Sequence, residues 1–230
     1  MSLRIGFDMD GVLADFASAY RDVEVRLFGA DPVLNTSAPE PADEEEQPNA
    51  AAADESKSSR DRSRRDAIWR QIHATPNFWT TLRPTDPFAV RRIHDLMMKQ
   101  RWEVFFITQR PATQGDTVQR QTQHWLVAQG FDLPSVLVIS GSRGAAAAAL
   151  RLDYHVDDSA TNCLDVMSDA NARPILIVGS ADGPTARRAK SLGIGVAVSI
   201  GEALNVLEHA SSAGRDPGIL QRLASLVGWR

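Results

Sequence analysis

The sequence predicts an α/β protein, a parallel sheet flanked by helices with a small helical cap inserted after the first strand. Three observations carry this expectation. Short apolar runs alternate along the chain with segments of helical spacing, and that succession builds a parallel sheet with helices on both faces. The run Trp102–Thr108 (WEVFFIT) is apolar but for Glu103 and its closing Thr108, the mark of a strand covered on both sides. The third is a helical module between the first such run and a return to the sheet near Pro84.

The strands are expected at Leu3–Met9, Trp102–Thr108, Ser135–Ser140, Leu152–Val156 and Pro174–Gly179, with a shorter one at Gly195–Ile200. In Asp86–Gln100 the apolar residues Phe88, Val90, Ile93, Leu96 and Met97 recur at helical spacing. Further helices are expected at Thr113–Gln129, Gly144–Leu150 and Gly201–Ala210. In the first half, Phe16–Phe28 and Asp66–Thr75 are amphipathic. Between them, 36–65 has almost no large apolar residue: an acidic run at Glu40–Glu46, an alanine run, then the basic Arg60–Arg65. Such a stretch cannot bury enough surface to offset its ordering entropy, so disorder is expected. A partner-binding segment is the alternative, with charge segregation as its support.

Composition excludes several classes. The chain has 230 residues and a formal net charge of -4, against a general nucleic-acid binder. Its longest apolar runs are far shorter than a membrane span, and its first residues lack the basic start and apolar stretch of a signal peptide. A single cysteine, Cys163, allows no intrachain disulfide. These features lead to the expectation of a cytoplasmic protein with no membrane or nucleic-acid-polymer partner. Only Lys57, Lys99 and Lys190 are lysines among 25 basic residues.

The chemistry-bearing residues stand at predicted strand ends, where ligands bind in open α/β sheets. The first strand runs into Phe7-Asp8-Met9-Asp10-Gly11. One carboxylate can attack phosphorus to form an aspartyl-phosphate. A second, two residues on, can protonate the leaving oxygen and later activate water. Gly11 lets the backbone turn sharply. Two like charges so close call for a hard cation such as Mg²⁺. An Asp-x-Asp-Gly string arises by chance in such a chain with probability ~0.03, so later signals decide. The second strand ends in Ile107-Thr108-Gln109-Arg110, where the Thr108 hydroxyl can hold a phosphate oxygen or cap the next helix. Ser142-Arg143-Gly144 follows the third strand, and a cation there can pair with phosphate and with the attacking carboxylate. The fourth strand ends in His155-Val156-Asp157-Asp158, a second acidic pair suited to a metal.

FDMDGVLADF, ITQRP, SRG and HVDD, in that order, resemble the four motifs of the haloacid dehalogenase superfamily of aspartate-nucleophile phosphotransferases. The nearest resemblance is to its 5′(3′)-deoxyribonucleotidase-like branch, in which a helical cap follows the first motif and an aromatic pair precedes Leu-x-Pro. Here the pair is Phe78-Trp79 in NFWTTLRP. The resemblance spans Leu3 to about Ala30 and about Ile68 to Ile200.

It implies a Rossmann-like core of 1–16 and 84–230, and a cap of 17–83. It implies Asp8 as nucleophile and Mg²⁺ ligand, and Asp10 as general acid/base binding the metal through its carbonyl. Thr108 and Arg143 would complete the catalytic set, and Asp158, alone or with Asp157, the metal site. Phe16, Phe78 and Trp79 would receive a nucleobase, with Gln109 and Arg110 nearby. The alternative for Phe78 and Trp79 is that they anchor the cap. The implied substrate is a small phosphate ester, a nucleoside 5′-monophosphate. A sugar phosphatase and a poorly active binding protein are the rival readings.

Two departures stand out. Arg143 occupies the place where the family usually has Lys, and its planar fork is not equivalent to an ammonium. Ser159 follows the paired acids where relatives often have a base, and Arg110 is a candidate for the missing charge. The histidines His73, His94, His124, His155 and His209 share no ligand spacing, and His155 reads as a satisfied core residue. Gly179–Gly183 reads as a turn. The tail Arg215–Arg230, with one apolar stripe, is expected as a packing helix, with a homodimer contact as the alternative.

Overall fold

The computed structural model describes residues 2–29 and 52–213, with side chains for all of these except 52–59 and 213. Six strands form one sheet in the order β3-β2-β1-β4-β5-β6. They are β1 Arg4–Asp8, β2 Glu103–Thr108, β3 Ser135–Val138, β4 Tyr154–Asp157, β5 Arg173–Ile177 and β6 Gly195–Ala197. Every pairing is parallel, as the strand-helix succession requires. Residues of β1 on both faces, Ile5, Gly6 and Phe7, are buried, which explains the unbroken apolar runs.

The helices are α1 Phe16–Phe28, α2 Ala52–Ala74, α3 Pro87–Gln100, α4 Val118–Ala128, α5 Arg143–Leu150, α6 Ala160–Asp169, α7 Pro184–Ser191 and α8 Ile200–Ala213. The apolar spacing does not announce α6 and α7, because their buried faces are short: Cys163 and Val166 in one, Ala186 and Ala189 in the other. α4 starts later than expected, since Thr117 accepts from the Arg120 amide and sets the N-terminus there. β6 stops at Ala197, and the Ser199 hydroxyl accepts from the Glu202 amide as α8 begins. Gly179–Gly183 is a turn leading into α7, as expected.

The cap leaves and re-enters the sheet through two adjoining segments. Ala14 bridges Pro84 in antiparallel fashion. The Asp15 amide donates to the Arg83 carbonyl at 2.8 Å, and the Thr85 amide to the Leu13 carbonyl at 2.9 Å. The segment 36–65, where disorder is expected, overlaps α2 in part. Its residues 52–65 are helical, and the remainder, 36–51, lies outside the described residues. The stretch has helix-forming Ala, Glu and Arg, and the helix propagates from an end anchored by the buried pair Ile68 and Ile72. The Arg64 guanidinium pairs with Glu24 of α1 at 3.0 Å and lies over the Phe28 ring.

A short 3-10 turn, Phe78–Thr80, ties the cap to α4. Trp79 and Trp125 are each 1% exposed. Burying such a ring removes roughly 150–250 Å² from water, or about 4–6 kcal/mol at ~25 cal/mol per Å². The Trp125 indole also donates to the Leu82 carbonyl at 2.7 Å. The tail Arg215–Arg230 lies outside the described residues. Among the described residues, no helix is long and apolar enough to cross a membrane.

Candidate active site

The pairing of β1 brings the motif residues together. Asp8 is in register with Ile107 on one side, and Phe7 with Val156 on the other. The ends of β2, β1 and β4 therefore abut, with Asp8 between Thr108 and the Asp157-Asp158 pair. Arg143 begins α5, which follows β3 at the sheet edge. Ser142 caps that helix through the amides of Gly144 and Ala145. Gly144 is needed for close approach, because a Cβ there would lie 2.1 Å from the Asp165 carbonyl oxygen of α6. That contact sets α5 against α6 and Arg143 beneath the strand tips.

These residues surround a cavity of about 710 Å³, within the usual range for small-molecule sites. Asp8, Asp10, Thr108, Gln109, Arg110, Arg143 and Asp158 line it at the sheet. Phe16, Trp69 and Trp79 line it from the cap and the turn beside it. Thr108 is not the cap of the following helix, a role that Thr117 takes.

Asp8 is buried. Its Oδ1 accepts from Arg143 Nη2 at 2.5 Å. Arg143 Nη1 and Nε make no hydrogen bond; Nε lies 3.6 Å from Asp157 Oδ2. Burial and the Asp157 charge push the Asp8 carboxyl well above its ordinary value. Arg143 opposes this, while Asp158 and Asp10 add to it. A carboxyl held up by its acidic neighbours is a site that a bound cation would compensate.

The two adjacent acids separate. Asp157 does not line the cavity. It is fully buried, and its oxygens accept from the Ser159 amide at 2.8 Å, from Asn162 Nδ2 at 3.1 Å and 3.3 Å, and contact His155 Nε2 at 2.9 Å. Burial would raise its pKa, but the hydrogen bond and charge of His155, with Arg143 and the Ser159 amide, bring it below the ordinary value. Of the two arrangements the sequence leaves open, Asp158 alone or with Asp157, only Asp158 is at the cavity wall. His155 and Asp157 share one face of β4, so the acid is committed to its neighbour. His155 is buried as expected, but only half satisfied, since its Nδ1 makes no hydrogen bond. Ser159 caps α6.

Asp158 faces the cavity instead. Its carboxylate lies against Gly11: a Cβ at that position would be 1.8 Å from Asp158 Oδ2. Gly11 also has φ +81°, a conformation open to glycine. Asp158 therefore sits beside the Asp10–Gly11 backbone, next to Asp8. Among the described residues no trio of His, Cys, Asp or Glu side chains forms a ready metal cage. Two carboxylates, Asp8 and Asp158, with the Asp10 carbonyl do suit an oxygen-seeking divalent ion that keeps waters or substrate oxygens as further ligands.

Arg110 does not present its charge to the cavity. Its Nε and Nη2 fork Asp10 at 2.8 Å and 2.7 Å, and its Nη1 donates to Thr122 at 3.0 Å. Phe78, expected in the pocket, does not line it. It packs edge-on against Phe16 and Trp79 and anchors the cap, the alternative the sequence had left open. Trp69 takes its place, 5.6 Å from the Phe16 ring. Its signal was present in the amphipathic piece Asp66–Thr75, where it follows the buried Ile68 and falls at the edge of the apolar face. Thr161, Asn162 and Asp165 of α6 also line the cavity; they lie on a helix whose short apolar face gives little signal in the sequence.

No family model matches the chain, and no curated protein matches it in sequence. Solved structures do. A proposed beta-phosphoglucomutase from Thermotoga maritima aligns with TM-score 0.50 and 18% identity over 90% of this chain and 99% of its own. A haloacid dehalogenase-like family hydrolase from Streptococcus pneumoniae aligns with TM-score 0.51 and 11% identity over 90% and 98%. The chain has the haloacid dehalogenase-like fold. A third example, a HAD family hydrolase from Deinococcus radiodurans R1 with bound phosphate and sodium, aligns with TM-score 0.51 and 12% identity over 100% and 99%. Within the haloacid dehalogenase-like fold, the strand tips that gather Asp8, Thr108 and Asp158 form the floor of the cavity, and the cap supplies its aromatic wall.

Proposed function

We propose that the protein is a haloacid dehalogenase-superfamily phosphatase, a Mg²⁺-dependent phosphomonoester hydrolase acting on (deoxy)nucleoside 5′-monophosphates. One observation carries the reading: Asp8 and Asp10, with Thr108, Arg143 and Asp158, face across one cavity a wall of Phe16, Trp69 and Trp79. The carboxylates supply phosphoryl-transfer chemistry, and the half-buried Trp69 ring, backed by Phe16, supplies a face on which a base stacks.

Asp8 attacks phosphorus through a carboxylate oxygen. The phosphorus–ester oxygen bond breaks, and Asp10 gives its proton to the leaving alkoxide. Asp10, now ionised, takes a proton from water as that water attacks the aspartyl-phosphate. The phosphorus–Asp8 bond breaks, releasing inorganic phosphate and restoring both carboxyls. Arg143 and the Thr108 hydroxyl hold oxygens of the transferring group. Mg²⁺, held by Asp8, Asp158 and the Asp10 carbonyl, would neutralise charge on the phosphoryl oxygens.

A sugar phosphate is the second reading. It rests on the likeness to the proposed beta-phosphoglucomutase and on the polar wall of Thr161, Asn162 and Asp165, which suits hydroxyls. The test is phosphate release with Mg²⁺ by wild type and Asp8→Asn from p-nitrophenyl phosphate, nucleoside monophosphates and sugar phosphates. Asp8-dependent release with nucleotides preferred is the expected result. Preference for sugar phosphates would discard the nucleotide assignment, and activity surviving Asp8→Asn would overturn the mechanism.

A further inference from the structure

We infer that Arg110 is the positioning residue for the acid/base carboxyl of Asp10, held in place by Trp79 and Thr122; this rests on the phosphatase reading above. A cation next to a phosphate site is ordinarily assigned to the phosphate. The geometry here assigns it elsewhere. All three Arg110 nitrogens have partners: Nε and Nη2 with the two oxygens of Asp10, and Nη1 with Thr122 Oγ1. The Arg110 side chain is fully buried, whereas that of Asp10 is 24% exposed. Substrate entering the cavity meets the carboxylate and not the guanidinium.

The fork itself is fixed from two sides, by Trp79 and by Thr122. The guanidinium lies 4.8 Å from the centre of the Trp79 ring, a cation–π distance. The Trp79 indole donates to the Pro111 carbonyl at 2.9 Å, and its amide donates to Gln121 Oε1 at 3.1 Å. The Thr122 hydroxyl donates a hydrogen bond to the Val118 carbonyl at 2.8 Å, so its oxygen is free to accept from Arg110. Two buried polar residues of α4, Gln121 and Thr122, thereby acquire a purpose. A bidentate fork fixes the plane of the Asp10 carboxyl as well as its position, and each oxygen keeps a second lone pair on which the transferable proton can sit. Asp10 lies beyond the end of β1, in a turn, and has no other side chain to orient it among the described hydrogen bonds. Proton transfer to a leaving oxygen demands such orientation.

The test compares kcat/KM for an alkyl phosphate, propyl phosphate, with that for p-nitrophenyl phosphate. This parameter covers the steps up to ester cleavage, so the later role of Asp10 as base does not enter. The alkoxide needs a proton from Asp10, and p-nitrophenolate does not. Arg110→Met is expected to lower kcat/KM by about 100-fold for propyl phosphate, the scale of general-acid assistance, and by less than about fivefold for p-nitrophenyl phosphate. In an Asp10→Asn background Arg110→Met should add less than about twofold. Arg110→Lys should recover part of the loss and serves the same cycle if the Met variant does not fold. Equal losses on the two esters, full additivity with Asp10→Asn, or a raised KM at unchanged kcat would overturn the assignment. No Asp8-dependent release by wild type from either ester would instead overturn the phosphatase reading, and the assignment with it.

Discussion

The Arg143 guanidinium meets the Asp8 carboxylate at 2.5 Å in a place where both side chains are at most 8% exposed. The guanidinium, which also lies 3.6 Å from Asp157, offsets the charge of buried acids. Removing it leaves those acids uncompensated, a loss that typically costs about 3–5 kcal/mol.

Arg143→Ala should therefore destabilise the fold and also lower kcat on p-nitrophenyl phosphate by about 100-fold or more, the usual scale for one donor to a transition-state oxygen. Arg143→Lys keeps the charge but loses the fork, and a drop of about tenfold is expected. Denaturant unfolding and steady-state kinetics on the two variants check this. Wild-type turnover by Arg143→Ala would remove Arg143 from the site.

Asp8 itself makes stability depend on pH. Its carboxyl is pushed up by burial and by the Asp157 charge, so the folded chain holds that proton more tightly than the unfolded one. Stability from this group is full below the ordinary carboxylate value and is lost as pH rises to the raised folded value. Without metal, ionising Asp8 costs stability, because burial and the Asp157 charge outweigh the help of Arg143. Asp8→Asn, inactive, should melt at a higher temperature than wild type in chelator. The gap should close as pH falls towards the ordinary carboxylate range. Added Mg²⁺ should raise the melting temperature of wild type more than that of the variant.

Gly11 tests the metal-site geometry. A methyl group there would occupy the space of Asp158 Oδ2, and the positive φ adds strain of about 1–3 kcal/mol. Gly11→Ala should raise the Mg²⁺ concentration needed for half-maximal activity at least tenfold. A Mg²⁺ titration showing no change would place Asp158 outside the metal shell.

Trp69 tests the aromatic wall. Stacking on one ring is worth roughly 1–3 kcal/mol per base. Trp69→Ala should raise KM for deoxynucleoside monophosphates about tenfold and leave kcat/KM for propyl phosphate within about twofold. Equal effects on both would mean that Trp69 supports the cap and not the ligand.

Much of the site was legible because its residues are tied to strand ends. Apolar runs terminating in Asp8, Thr108 and Asp157-Asp158 announced both the strands and the ligand face, since parallel strands put their carboxyl ends together. The separate fates of Asp157 and Asp158 were partly legible too: side chains alternate along a strand, and His155 lies two residues from Asp157. Trp69 was located on an amphipathic helix but not aimed. Whether a residue at the edge of an apolar face turns to core or cavity depends on the helix packed opposite.

What the sequence alone determined was the alternation of strands and helices, the inserted cap, and the residues able to run phosphoryl chemistry. These follow from local periodicity and from side-chain type. What the tertiary structure decided was partnership. It committed Arg110 to Asp10, Asp157 to His155, Phe78 to the cap anchor and Trp69 to the cavity. It also continued α2 through a stretch whose composition spoke for disorder. Apart from the Asp157–His155 pair, two residues apart on β4, these depend on contacts between residues distant in the chain, where burial drives most polar groups to find partners and no local pattern encodes which partner that is.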